Sequence, residues 1–171
     1  MKKYLKTDEW NIIEDQFHPD CQRMSESIFS LGNGRFGQRG YFEEPYSSDS
    51  YRGSFVAGIT FLDKTRVGWW KNGFPPYYTR IPKAADWSRI NLRLIDEELD
   101  LAGWDVDSFN RRLDMKEGIS YRDMEVTSPR GKPAPHPCRA YHKYGKTQPL
   151  SHQVQRIFHQ LYRQNLTRAH P

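Results

Sequence analysis

At 171 residues the chain is long enough to bury one hydrophobic core and too short for most two-domain enzymes. Aromatic residues at 14 %, with 12 Gly and 11 Pro, favour β architecture over a helix bundle, and no run of eighteen apolar residues exists to span a membrane. The formal charge of +5 belongs to the C-terminal end: residues 133–171 hold six Lys or Arg and no acid, which leaves 20 cations against 21 anions, or −1, in residues 1–132. Nucleic acid is therefore not expected as a partner of the body; only the tail keeps that alternative open.

Met1-Lys2-Lys3-Tyr4-Leu5-Lys6 is followed by Thr7-Asp8-Glu9 and not by an apolar run, so no secretory signal is read and the cytoplasm is the expected location. Cys21 and Cys138 make neither a disulfide framework nor a metal spacing. Trp10 to Glu14 reads as an edge strand ended by Gln16-Phe17-His18-Pro19, since Pro19 disfavours a helical residue before it.

Glu26 to Gly40, ESIFSLGNGRFGQRG, packs an apolar run, four glycines and two arginines into fifteen residues. Ser27 to Leu31 predicts a short strand, Gly32-Asn33-Gly34 a turn, and Phe36 to Phe42 a second strand. Strand periodicity would put Arg35 and Arg39 on one face, as a ligand corner or a buried ion-pair network. Gly32, Asn33, Gly34, Arg35 and Arg39 are thus the expected structural hub. The same letters match G-x-G-x-x-G, but that fingerprint needs a helix and a βαβ unit, and Gln38-Arg39-Gly40-Tyr41-Phe42 opens neither.

Glu43 to Ser50 reads as a polar loop and Tyr51 to Leu62 as one long strand. Val67 to Tyr78 follows, with five aromatics around Asn72-Gly73 and Pro75-Pro76. A loop so apolar covers a core or a partner, or stacks its rings on sugar faces; Trp69, Trp70, Tyr77 and Tyr78 are the candidate substrate-binding residues. Ser88 to Leu94 alternates as a half-buried strand with Asp96-Glu97-Glu98 as its turn, and Leu99 to Leu101 starts the return. Val106 to Met115 and Ile119 to Val126 form a hairpin around Lys116-Glu117-Gly118, with Phe109, Leu113 and Met115 on one face. Arg111, Arg112 and Arg122 beside Asp114 and Asp123 read as cross-strand ion pairs.

From residue 133 the pattern stops, with five His, five Pro and five Gln. A basic low-order tail over 133–171, or a poor helix from Ser151 to Gln164, fits that composition. A third reading is a shifted frame: one codon choice for Pro149 to Arg156, read one base forward, gives the strand-like LCLIKYSV.

Taken in order, Trp10, Ile12, Glu14 and Phe17-His18-Pro19, the Glu26–Gly40 stretch with Phe42-Glu43-Glu44, Gly53 to Gly58, and Phe109 with Arg111 to Gly118 resemble the N-terminal domain of glycoside hydrolase family 65. That is the family of maltose, trehalose and kojibiose phosphorylases. The resemblance covers residues 10–132 and implies an all-β fold, an antiparallel β-super-sandwich that is incomplete here. In the family such a domain precedes a helical linker and an (α/α)6-barrel, whose glutamate acts as general acid while inorganic phosphate, the co-substrate, attacks the anomeric carbon with inversion. It implies no metal or organic cofactor. The expected partners are carbohydrate in the intact enzyme, the missing catalytic barrel and a second copy in a homodimer. The barrel would lie beyond Pro171, so no catalytic residue is assigned, and a stand-alone carbohydrate-binding sandwich is the alternative.

Overall fold

In a computed structural model, which describes residues 4–65, 75–94, 97–131 and 138–143, the chain is built almost wholly of antiparallel strands with one short helix. The elements are β1 (Lys6–Thr7), β2 (Asn11–Glu14), α1 (Gln22–Ile28), β3 (Leu31–Gly32), β4 (Phe36–Gln38), β5 (Ser54–Val56), β6 (Phe61–Lys64), β7 (Tyr77–Arg80), β8 (Arg93–Leu94), β9 (Glu97–Glu98), β10 (Asp105–Asp114), β11 (Ile119–Thr127) and β12 (Cys138–Lys143). A five-stranded sheet in the order β1-β2-β10-β11-β12 is the largest unit. Three smaller sheets are β3-β4-β5, β6-β7 and β8-β9.

The β10–β11 hairpin follows the sequence pattern closely. Gly118, at φ 65°, supplies the left-handed residue of its turn. Along β11, Ser120, Arg122, Met124 and Val126 are buried in strict alternation, and along β10 the inward set is Phe109, Arg111 and Leu113. Met115 lies beyond the strand and is 47 % exposed, so the expected Phe109–Leu113–Met115 face ends at Leu113.

The core lies against the inner face of this sheet. Phe42, Tyr46, Leu99, Leu101, Trp104, Phe109, Met124 and Val126 form its buried cluster, with Phe17, Leu92 and Val106 packed on it. Phe42 meets Tyr46 and Phe109 edge-on, at 5.5 and 6.1 Å between centroids, the geometry that ring quadrupoles favour.

Several expectations need correction. Trp10–Glu14 is not an edge strand, because β2 pairs with β1 on one side and β10 on the other. The strand expected at Ser27–Leu31 is the end of α1, and only Leu31–Gly32 pairs with β4. That helix starts after a Pro19–Cys21 turn and buries Gln22, Ser25, Glu26 and, just past its end, Phe29, while Met24 and Ile28 face out. The stripe it hides is polar, so hydrophobic periodicity does not mark it. Tyr51–Leu62 is broken into β5 and β6 by a turn with Gly58 at φ 80°. In Ser88–Leu94 only Arg93 and Leu94 are strand, since Ile90 donates its N–H to the Glu43 carbonyl instead; Glu97 and Glu98 belong to β9 and not to a turn. Beyond residue 133, Cys138–Lys143 pairs with β11 as the fifth strand of the largest sheet. The readings placed on residues 144–171, including the Ser151–Gln164 helix and the shifted frame, lie outside the described residues.

Candidate functional site

The charged residues that this fold takes out of water are Glu14, Glu26, Glu43, Glu44, Arg111 and Arg122 among the described residues. Strand alternation turns Arg111 and Arg122 inward, onto the apolar face, where a guanidinium requires carboxylate partners. Arg111 donates from Nε to Glu14 Oε2 at 3.0 Å and again from Nη2, and its Nη1 reaches the Gly40 carbonyl at 2.9 Å. The Phe29 ring covers it at 4.6 Å. Ser25 on α1 donates to the other Glu14 oxygen at 3.1 Å. One residue of β10 thus gathers β2, α1 and the loop after β4.

Arg122 repeats the device one strand over. Its Nη2 donates to both Glu43 and Glu44, the latter at 2.6 Å, and its guanidinium lies 5.1 Å from the Phe42 ring centre. Burial pushes the Glu44 carboxyl above the usual carboxylate range, against the pull of Arg122. Burial likewise lowers Arg111, opposed by Glu14. The sequence reading of Arg111 and Arg122 as pairs of Asp114 and Asp123 is therefore wrong for the contacts that bury them; Arg112, on the outer face, does sit 3.6 Å from Asp114. Glu43 and Glu44, read as part of a polar loop, are core residues. The signal for both was present: an arginine at an inward strand position predicts a buried acid.

The expected hub divides. Asn33 accepts the N–H groups of Arg35 and Phe36 at 3.0 and 2.9 Å and Gly34 adopts φ 82°, so Gly32-Asn33-Gly34 closes the β3–β4 hairpin. Arg39 donates to the carbonyls of Tyr51 and Arg23 and to Ser27 Oγ, and stacks on Tyr51 at 5.1 Å. Arg35 is exposed and shares none of these partners.

Beside the Arg111 and Arg122 ion pairs, Phe29, Leu31, Gly40, Phe42, Arg111 and Ser120 help to line a cavity of about 30 Å³. That is the room of a single water, against roughly 300–1,000 Å³ for a small-molecule site, so no sugar fits there. No group of three metal-ligating side chains exists among the described residues.

The aromatic candidates lie elsewhere. Trp69 and Trp70 fall outside the described residues. Tyr77 and Tyr78 open β7, paired with β6 in the register Lys64 to Tyr77, Asp63 to Tyr78, Leu62 to Thr79 and Phe61 to Arg80. Consecutive strand residues point to opposite sides, so Tyr77 and Tyr78 cannot form one platform. The Tyr78 side holds Phe61, Asp63 and Arg80; Tyr78 Oη donates to Asp63 at 3.3 Å and Arg80 Nη1 to the same carboxylate at 3.0 Å. The Arg80 hydrogen bond holds the Asp63 carboxyl below its ordinary value.

Comparison with known proteins agrees with this architecture. The model of glycosyl hydrolase family 65, N-terminal domain, matches residues 12–134. Maltose phosphorylase of Bacillus subtilis (strain 168) is 43 % identical over 125 residues, 73 % of this chain and 16 % of that protein. Alpha,alpha-trehalose phosphorylase of Thermoanaerobacter brockii is 34 % identical over 128 residues, again 73 % and 16 %. A solved human-microbiome structure, provisionally assigned as a kojibiose phosphorylase, superposes with a TM-score of 0.64 at 34 % identity over 72 % of this chain and 16 % of its own. The chain spans about one sixth of the length of these relatives. It belongs to glycosyl hydrolase family 65, through that family's N-terminal domain.

Proposed function

We propose that this domain serves an inverting disaccharide phosphorylase that cleaves an α-glucosidic disaccharide such as maltose with inorganic phosphate, in the cytoplasm. The observation that carries the reading is the 43 % identity to a maltose phosphorylase across 73 % of the chain. The general acid and the phosphate site belong to a catalytic barrel of the intact enzyme. A leaving oxygen must be protonated by a carboxyl of raised pKa in a closed site; here Glu14, Glu43 and Glu44 are bound by Arg111 and Arg122, and Glu26 by Ser50 and the Tyr51 N–H, beside a water-sized cavity. The domain supplies a scaffold, a surface for the barrel or a second copy, and, through Trp69, Trp70 and Tyr78, ring faces for the substrate side.

The test is phosphate-dependent release of glucose 1-phosphate of inverted configuration from maltose, trehalose and kojibiose. A protein of the relatives' full length is expected to release it, and the 171-residue chain is expected to be inert. Turnover by the chain alone, or full-length hydrolysis that ignores phosphate, would overturn the assignment.

A further inference from the structure

The β6–β7 hairpin has two unlike faces, and the geometry points to one of them, Phe61, Asp63, Tyr78 and Arg80, as a binding face for a glucosyl saccharide. This rests on the carbohydrate reading above and adds the residues and the face. Phe61 and Tyr78 are 43 % and 44 % exposed and stand diagonally across the strand pair, at a spacing of roughly 7–8 Å. Between them Asp63 accepts from both Tyr78 and Arg80, and the Arg80 guanidinium lies 5.6 Å from the Phe61 ring centre. All four side chains are thus tied to one another before any ligand arrives, which lowers the entropy lost on binding.

The chemistry of the face matches a pyranose. A sugar ring presents C–H groups on its flat side, which pack on aromatic faces, and hydroxyls around its rim. Asp63 carries acceptor capacity beyond its two donors, and Arg80 has N–H groups beyond the one on Asp63. The opposite face carries Leu62, Lys64, Tyr77 and Thr79 and has no acid to receive a hydroxyl. Leu62 there is 72 % exposed, a side chain suited to a protein neighbour and not to a polar ligand. A face this exposed binds weakly, with a dissociation constant on the order of 1 mM.

The experiment is an NMR titration of the 171-residue chain with maltose and longer malto-oligosaccharides, followed on the Phe61 and Tyr78 ring protons. Saturable shifts are expected. Asp63→Asn and Tyr78→Ala are each expected to weaken binding about tenfold or more, and Leu62→Ala on the other face to leave it unchanged. The residues are exposed, so unchanged core methyl signals will show that the variants stay folded. Shifts that do not saturate, or that survive both Asp63→Asn and Tyr78→Ala, overturn the assignment of this face. A chain that binds no saccharide, while the full-length protein phosphorolyses maltose, removes this inference and leaves the family activity standing.

Discussion

Arg111 on β10 and Glu14 on β2 form a two-pronged ion pair across 97 positions of sequence, with both side chains out of water. The pair fastens β2 to the β10–β11 hairpin. It also fixes α1, because Ser25 and Gln22 reach the same two groups.

Removing one partner should cost far more than removing both. Arg111→Met leaves Glu14 buried without its guanidinium, and a loss of about 3–5 kcal/mol is expected. That is a large share of the roughly 5–15 kcal/mol that holds a domain together. Arg111→Met combined with Glu14→Leu should recover much of it, since a paired replacement leaves no stranded charge. Urea denaturation of the two variants and the parent checks this; equal losses in the single and the double would refute the pairing argument.

Gly40 should be the least replaceable glycine of the Glu26–Gly40 stretch. A Cβ there would stand 2.6 Å from Phe29 Cβ and 2.7 Å from the Phe29 carbonyl, where the loop crosses the end of α1. Gly40→Ala is expected to cost about 1–3 kcal/mol by overpacking. Gly103→Ala, whose Cβ would meet only a carbonyl at 3.9 Å, should stay within about 0.5 kcal/mol of the parent. Melting temperatures of the two variants decide it, and a Gly40→Ala protein as stable as Gly103→Ala would contradict the packing.

The pH response should carry the mark of Glu44. Its folded pKa is raised by burial, so the folded chain holds that proton more tightly than the unfolded chain. The contribution is fully present below the unfolded value and is lost as pH rises through the folded one. Within that window stability should fall by at most about 1.4 kcal/mol per pH unit. Asp8, Asp15 and Asp63 are shifted the other way, so their contributions are lost only as pH falls through their lowered values. Urea midpoints should decline in the parent as pH rises above the ordinary carboxylate value and flatten in Glu44→Gln; an identical slope in both would reject the assignment.

Legibility of the sequence followed the ordinary rules where the buried side chains are apolar. The β10–β11 hairpin and the Gly32-Asn33-Gly34 turn obey alternation and turn chemistry, and both are found where those rules put them. The rules fail at α1, whose hidden stripe is Gln22, Ser25 and Glu26 and whose exposed side carries Met24 and Ile28. No local pattern distinguishes that helix, because the partner of its polar stripe lies on a strand nearly ninety residues later. For Glu43 and Glu44 the signal lay at a distance, in the inward Arg122 of β11, and not in their own polar surroundings. Tyr78 was readable as an exposed ring, but Asp63 and Arg80 were not, since their meeting depends on the register of two strands separated by twelve residues.

The long reach from Glu14 to Arg111 sets the order in which a growing chain can finish itself. At roughly 5–20 residues per second, a ribosome needs on the order of 5–20 s to add the 97 residues between them. The contacts of Glu14, Glu43 and Glu44 with Arg111 and Arg122 can form only once β10 and β11 have been made.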